Sequence, residues 1–304
     1  MRRQEQILAD CDLITARKGT TTTKHVTDKT VRSSAASENE NCALALTERT
    51  MTDFMRDRLG SPKVVDRNTF NADLDALRVR EKAHTTEGDA IAGTSRRLPR
   101  VEVDGGTPLI GERGAVTLSD VFEGRRMLIA YYFMWHSGHP APEQCEGCTW
   151  VTSQVRELSY IQSRDVTYGT FCQGPYEESS RYSEFMGWEM PWYSAQESLD
   201  TLLVGRRVGH FHLVCYLRRG SQVFETYWTT GRGVEAMDNS YDLLDLTVYG
   251  RQEKWEDSPE GWPGRREGKD RIRTKGRPTA QLARLKAGSS DDLGSGSSAN
   301  TRAR

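Results

Sequence analysis

A chain of 304 residues with a formal net charge of −1 exerts no global electrostatic pull on nucleic acid or membrane. It holds no apolar run near the ~20 residues needed to span a bilayer. Only 36% of its residues are hydrophobic, too few for the whole length to pack. Its six cysteines lack regular spacing, and MRRQEQILADCDLITARKG lacks the apolar core of a secretory signal, so a cytoplasmic protein without a disulfide scaffold is expected.

Residues 1–61 are polar, rich in Thr and Ser, and nearly free of aromatics. They cannot bury enough apolar area to offset the entropy of ordering, and read as a disordered N-terminal region with at most a short helix over 44–58. Cys11 and Cys42 fall there and read as incidental. Residues 62–97 read as an amphipathic helical lead-in. Asn68 or Thr69 is the expected cap, Phe70, Leu74 and Leu77 form an apolar stripe, and the helix is expected to dock on the domain beyond. Its middle, KAHTTEGDAIAG, predicts a break.

Residues 98–263 carry the signals of a folded domain. RVEVDGG and TPLIGERGAV read as short strands, and LSDVF as one helical turn. Met127 to Phe133 reads as a buried strand, a run of apolar and aromatic residues extending to Trp135. A loop with two His, two Pro and two Cys follows. A helix from Thr149 to about Ser163 comes next, with Val151, Val155 and Leu158 at i, i+4 and i+7. Asp165 to Phe171 supplies another strand, and Pro175 opens a helix that Gly187 ends. MPWYSA reads as a strand begun through Pro191. HFHLVCYLRRGSQVFETYWTTG gives two apolar runs around Arg218-Arg219-Gly220-Ser221, a hairpin signal. Met237 to Leu246 reads as a last helix. Alternating strands and helices closed by a hairpin predict an α/β domain with a central mixed sheet and helices on both faces. That is the element order of a thioredoxin-type fold. Residues 264–304 are basic, Gly- and Ser-rich and without aromatics, and read as a disordered solvated tail with no specific partner.

The chemistry concentrates at Cys145-Glu146-Gly147-Cys148. The pair sits where a buried strand hands over to a helix start, and the partial positive charge there favours thiolate over thiol. Cys145 as the attacking sulfur and Cys148 as the resolving one is one order; the reverse stays open, since the long loop before Cys145 could put Cys148 nearer the helix start. Glu146 opposes thiolate formation by like charge. His136-x-x-His139 ahead of the pair offers a competing four-ligand zinc set, disfavoured because the two pairs are close and Pro140 and Pro142 stiffen the loop. No metal and no cofactor are therefore expected. Trp188 and Trp192 flank Pro191, and read as core aromatics or as walls of a substrate site. Cys172 and Cys215 read as buried apolar thiols. His210 and His212 share one side of a strand, and Tyr227, Trp228 and Arg232 close the hairpin without any catalytic spacing.

From Pro62 to about Trp262 the sequence resembles a thioredoxin-like bacterial family known as domain of unknown function 899. The resemblance rests on LSDVFEGRRMLIAYYFMW, CEGCTW, RDVTYGTFCQGP, FMGWEMPWYSA, and the stretch from VFETYWTTGRG to DLT. It implies a thioredoxin-like fold of the peroxiredoxin branch, preceded by an amphipathic helix. In such a site a cis-Pro precedes a strand and sets a backbone edge beside the reactive Cys, which makes Pro191 a candidate. On residues alone a trans Pro is expected, since only about 5–6% of X-Pro bonds are cis. The peroxiredoxin pattern of Pro, three residues, Thr, two residues, Cys is not met, because Gln144 precedes Cys145.

Two functional readings follow. In the first, the chain is a thiol–disulfide oxidoreductase or a peroxide-linked redox protein. Cys145, Cys148 and Pro191 form its site, Trp188 and Trp192 bind substrate, and the partner is a protein or small-molecule disulfide or a peroxide. In the second, it is a non-catalytic binding or scaffold domain presenting Trp188, Trp192 and Trp228. Neither reading involves specific nucleic acid or membrane, and oligomeric state is not legible.

Overall fold

The fold grows from the most apolar run of the chain. Met127–Phe133 forms strand β4, in which every residue from Ala130 to Phe133 is buried. The computed structural model describes residues 60–263 and 272–294; what was read for residues 1–59, 264–271 and 295–304 lies outside the described residues. Val166–Cys172 forms β5 and pairs parallel with β4, from Met127↔Val166 to Phe133↔Cys172. On the other side His212–Arg219 forms β7, antiparallel to β4 from Met127↔Leu217 to Tyr132↔His212. β7 turns through Gly220, at φ 61°, into β8, Gln222–Thr229. That turn needs a left-handed residue, and Gly supplies it without a Cβ clash.

β8-β7-β4-β5 is the thioredoxin arrangement of two parallel strands followed by an antiparallel pair, with the first strand central. Additions extend both edges: β1, Val101–Val103, pairs with β8. β6, Trp192–Ser194, pairs parallel with β5, and the hairpin of β2, Pro108–Gly111, and β3, Gly114–Thr117, joins through Ile110↔Ser194. The eight-stranded order is β1-β8-β7-β4-β5-β6-β2-β3.

Because side chains alternate across a strand, β4 feeds two cores. Leu128, Ala130 and Tyr132 face one, with Leu118, Phe122, Leu199, Leu203, Val214 and Tyr216. Tyr131 and Phe133 face the other, with Cys148, Tyr168, Tyr182, Trp188 and Trp192. Helices cover that second core: α2, Glu146–Thr152, α3, Ser159–Gln162, and α4, Tyr176–Met186, which ends at the left-handed Gly187. α5, Leu199–Leu202, lies on the first, and α6, Asn239–Asp245, follows the hairpin.

Three expectations are corrected. The lead-in helix, α1, Arg67–Ser95, is continuous through Gly88 and does not dock: Leu77 is 46% and Ile91 57% exposed. Its cap is Asp66, whose carboxylate accepts from Asn68 N (2.8 Å) and Thr69 N (3.1 Å). Few apolar residues line it, so a turn-by-turn backbone ladder, not a buried face, holds it. The single helix expected over 149–163 is two, α2 and α3. Ser153 donates its hydroxyl to Thr149 O (2.6 Å), and Gln154 leaves the helix to bond Asp238 and accept from Ser240 N (2.7 Å). Finally, part of the segment read as a disordered tail is ordered. Arg273–Thr274 (β9) and Arg277–Pro278 (β10) pair, Gln281–Lys286 forms α7, and Gln281 and Leu293 are buried. The apolar content of this segment is small, but its long polar side chains find carbonyl partners on the domain.

Candidate active site

The cysteine loop leaves the central strand at Phe133 and is stapled in place by its own polar residues. Gln144, fully buried, donates its amide to His136 O and His139 O (2.9 Å each) and accepts from His136 N (3.1 Å). Glu178, on α4, receives Gly138 N (2.7 Å) and Trp135 Nε1 (2.9 Å). These bonds give a coil-like segment one conformation, since each buried polar group left unpaired would cost about 1–3 kcal/mol. The chain is thereby delivered to Cys145, which caps α2.

Cys145 is part-exposed and Cys148 fully buried. The Cys145 sulfur accepts the Cys148 backbone N–H at 3.4 Å and touches the Met134 thioether at 4.0 Å. The Cys148 sulfur accepts Met134 N, also at 3.4 Å. Their acidities diverge. The Cys148 side chain, donating to Cys145, holds the Cys145 thiol below its ordinary value; burial opposes this, the Cys148 N–H supports it, and the Glu146 carboxylate opposes it. Burial, and then Cys145 itself, holds the Cys148 thiol well above the usual range. A pair split this way favours the anion at Cys145 and the proton at Cys148, its hydrogen-bond donor. Tyr131, from β4, sets its buried hydroxyl against Cys148 and favours its thiolate, without completing a hydrogen bond of ordinary geometry.

Behind the pair runs a polar chain. Thr149 donates to Cys145 O (2.8 Å) and shares a hydrogen bond with the Tyr182 hydroxyl (2.7 Å). Gln281, from α7, donates to the same Tyr182 oxygen (2.8 Å) and to Ala141 O (2.7 Å).

Of the other candidates, Trp188 and Trp192 share the core of Cys148, and the histidines do not join the pair. The two histidines turn to Glu143: His136 Nδ1 lies 2.8 Å from its carbonyl, and His139 Nδ1 lies 2.7 Å from its carboxylate. Among the described residues no three His, Cys, Asp or Glu gather as metal ligands, so the four-ligand zinc set is not assembled. Pro191 stands at the start of a parallel strand. It precedes β6, which runs parallel to β5, and its carbonyl accepts from Thr170 N (2.9 Å), back from the Phe133↔Cys172 end where the cysteine loop departs. All peptides among the described residues are trans, Pro191 included. The strand that starts at the cysteine end is the antiparallel β7, and Phe211, just before it, packs on the core that holds the pair.

Trp188 and Trp192 are buried and stacked on each other, with ring centroids 5.5 Å apart, and Trp192 lies 5.4 Å from Phe133. With Pro191, Tyr176 and Tyr193 they also border a cavity of about 640 Å³ that neither cysteine lines. That cavity's wall carries Asp120, Glu123, Ser180, Ser183, Glu184 and Glu189 but no cysteine. Cys172 is buried as expected and its thiol is pushed up by burial to about 12, whereas Cys215, read as buried, is part-exposed and its thiol is pushed up to about 11. Gln144, Glu178, Tyr131, Met134 and Gln281 carry no spacing signal.

A family model described as "bacterial protein of unknown function (DUF899)" matches residues 59–270. The chain belongs to that family. No curated protein matches it. Among solved structures, DUF899 as represented here is similar to a thiol:disulfide interchange protein, DsbE, from Chlorobium tepidum, at 12% identity over 47% of this chain and 94% of that one, TM-score 0.33. It is also similar to peroxiredoxin Q from Xanthomonas campestris (15%, 48% and 96%, TM-score 0.31). Peroxidoxin BcpB from Mycobacterium tuberculosis is a third (11%, 47% and 89%, TM-score 0.33). Among the described residues, no helix is long and apolar enough to cross a membrane.

Proposed function

We propose that this DUF899 protein is a thiol–disulfide oxidoreductase whose nucleophile is Cys145. The observation that carries the reading is the division of labour in the pair: a part-exposed sulfur with a lowered pKa beside a buried sulfur whose pKa is raised. The Cys145 thiolate attacks one sulfur of a substrate disulfide. A new S–S bond forms and the substrate's second sulfur leaves as a thiolate. That leaving thiolate takes up the proton of Cys148, directly or through solvent. The Cys148 sulfur then displaces the substrate from Cys145, closing the Cys145–Cys148 disulfide and releasing the second substrate sulfur as a thiolate, which takes its proton from solvent. Substrate gains two electrons and two protons, and an external dithiol restores the pair. With hydrogen peroxide the same thiolate attacks one oxygen, the O–O bond breaks and hydroxide leaves, taking a proton to become water. The Cys148 sulfur then displaces the hydroxyl of the Cys145 sulfenic acid as hydroxide, protonated to a second water, and closes the disulfide. The reading sets this chemistry in the cytoplasm, where thiol pools keep such a pair reduced. It involves neither Pro191 nor the two tryptophans in bond making.

The test is turnover of a small aromatic disulfide and, separately, of hydrogen peroxide, with dithiothreitol as reductant. Cys145→Ser is expected to abolish both, and Cys148→Ser to stall with substrate attached to Cys145, visible as a mass adduct. A wild-type protein inert toward both, or a Cys145→Ser variant as active as wild type, leaves a non-catalytic binding domain as the surviving reading.

A further inference from the structure

Arg273 reaches the cysteine loop from beyond the residues that the family model matches. Its guanidinium spreads over three oxygens of that loop. Nη1 donates to Pro142 O (2.7 Å), and Nη2 to Gln144 O (3.1 Å) and to the Glu146 carboxylate (3.0 Å). A fourth bond, from Nη1 to Gly276 O (3.1 Å), ties the same head group to the β9–β10 turn. Pro142, Gln144 and Glu146 bracket Cys145. The planar fork of Arg suits such a set, and Lys, a point charge, cannot reproduce it. The Arg273 side chain is only 13% exposed, so its pairing with Glu146 is less screened than a surface ion pair.

We propose that Arg273 is a positioning residue for Cys145, holding the turn that delivers the sulfur and neutralising the Glu146 carboxylate beside it. Residues 272–294 are then part of the site. Gln281 anchors the segment to Ala141 O and the Tyr182 hydroxyl, Arg284 donates to Phe185 O (3.0 Å), and Leu293 O accepts from Arg181 (3.1 Å). The titratable groups around Cys145 are Glu146 and Cys148 on its own helix, Tyr131 from β4 and Tyr182 from α4. Of these, Glu146 is the one an arginine can silence. Removing Arg273 frees a carboxylate next to the nucleophile and loosens the turn before it; both effects disfavour the thiolate.

The inference rests on the thiol reading above, and the experiment separates the two. Alkylation of Cys145 by iodoacetamide is followed by mass spectrometry in the full-length chain from about pH 5 to about pH 10, spanning the thiol range. Arg273→Ala is expected to raise the Cys145 midpoint by roughly half to one pH unit, a threefold to tenfold loss of rate at neutral pH. Arg273→Lys is expected to recover part of the shift, and Glu146→Gln in the Arg273→Ala background most of it. An Arg273→Ala profile that overlays wild type overturns the proposal, even where wild-type Cys145 proves acidic and the redox reading stands. An ordinary wild-type midpoint strikes the redox reading instead. If Arg273→Ala does not fold, the comparison passes to Arg273→Lys with and without Glu146→Gln, and there a midpoint indifferent to both changes overturns it.

Discussion

Two sulfurs three positions apart differ here because one is part-exposed at the head of a helix and the other lies beneath it. The Cys148 side chain is the leading cause of the lowered Cys145 pKa. Cys148→Ala is therefore expected to move the Cys145 alkylation midpoint upward, toward the ordinary ~8.5 of a free thiol. The sign is fixed: below its folded-state pKa the reactive thiolate declines about tenfold per pH unit, so a raised midpoint slows the reaction at neutral pH. The same depression contributes stability that is present above the unfolded-chain pKa and is lost as pH falls through the folded value. A midpoint unchanged in Cys148→Ala would mean that the backbone N–H groups alone set the acidity of Cys145. Cys172 and Cys215, pushed up to about 12 and about 11, are expected to label slowly throughout and serve as internal references.

Elements in this protein owe their stability to different sources. β4 is held by pairing on both sides and by two cores, whereas α1 stands on capping and its own backbone ladder, with Asp66 binding two N–H groups of the first turn. Leu77→Ser in α1 is thus expected to change unfolding free energy by less than about 0.5 kcal/mol, as for exposed sites generally. Chemical denaturation checks this, and a loss well beyond that size would reveal a covered face. The break between α2 and α3 has the opposite origin: Gln154 serves the start of α6 through Ser240 N, and a tertiary partner outweighs one more turn of helix.

At the scale of the whole molecule, the chain closes on itself through its C-terminal segment. Leu293, Gln281 and the partly buried Ala280 and Leu285 complete the core under the cysteine helix. Deleting residues 272–304 is expected to lower unfolding free energy by about 3 kcal/mol, from the apolar area re-exposed and the Tyr182 and Ala141 partners lost. A matched thermal melt reads it, and an unchanged melting temperature would show the segment to be an ornament of the fold.

The sequence by itself determined the central strand, the helix-start position of Cys145 and Cys148, the Gly187 stop and the β7–β8 hairpin. These are local consequences of side-chain period, of Gly backbone freedom and of turn chemistry, and they sufficed for the order of strands and helices along the α/β chain. Which strand start stands at the sulfurs' end of the sheet was not local. Both Pro191 and Phe211 precede strands, and only the parallel pairing of β6 and the antiparallel pairing of β7 sort them by end of the sheet. Tertiary structure alone also joined Arg273 and Gln281 to the loop, since their partners are backbone carbonyls, which every residue carries and no sequence pattern marks.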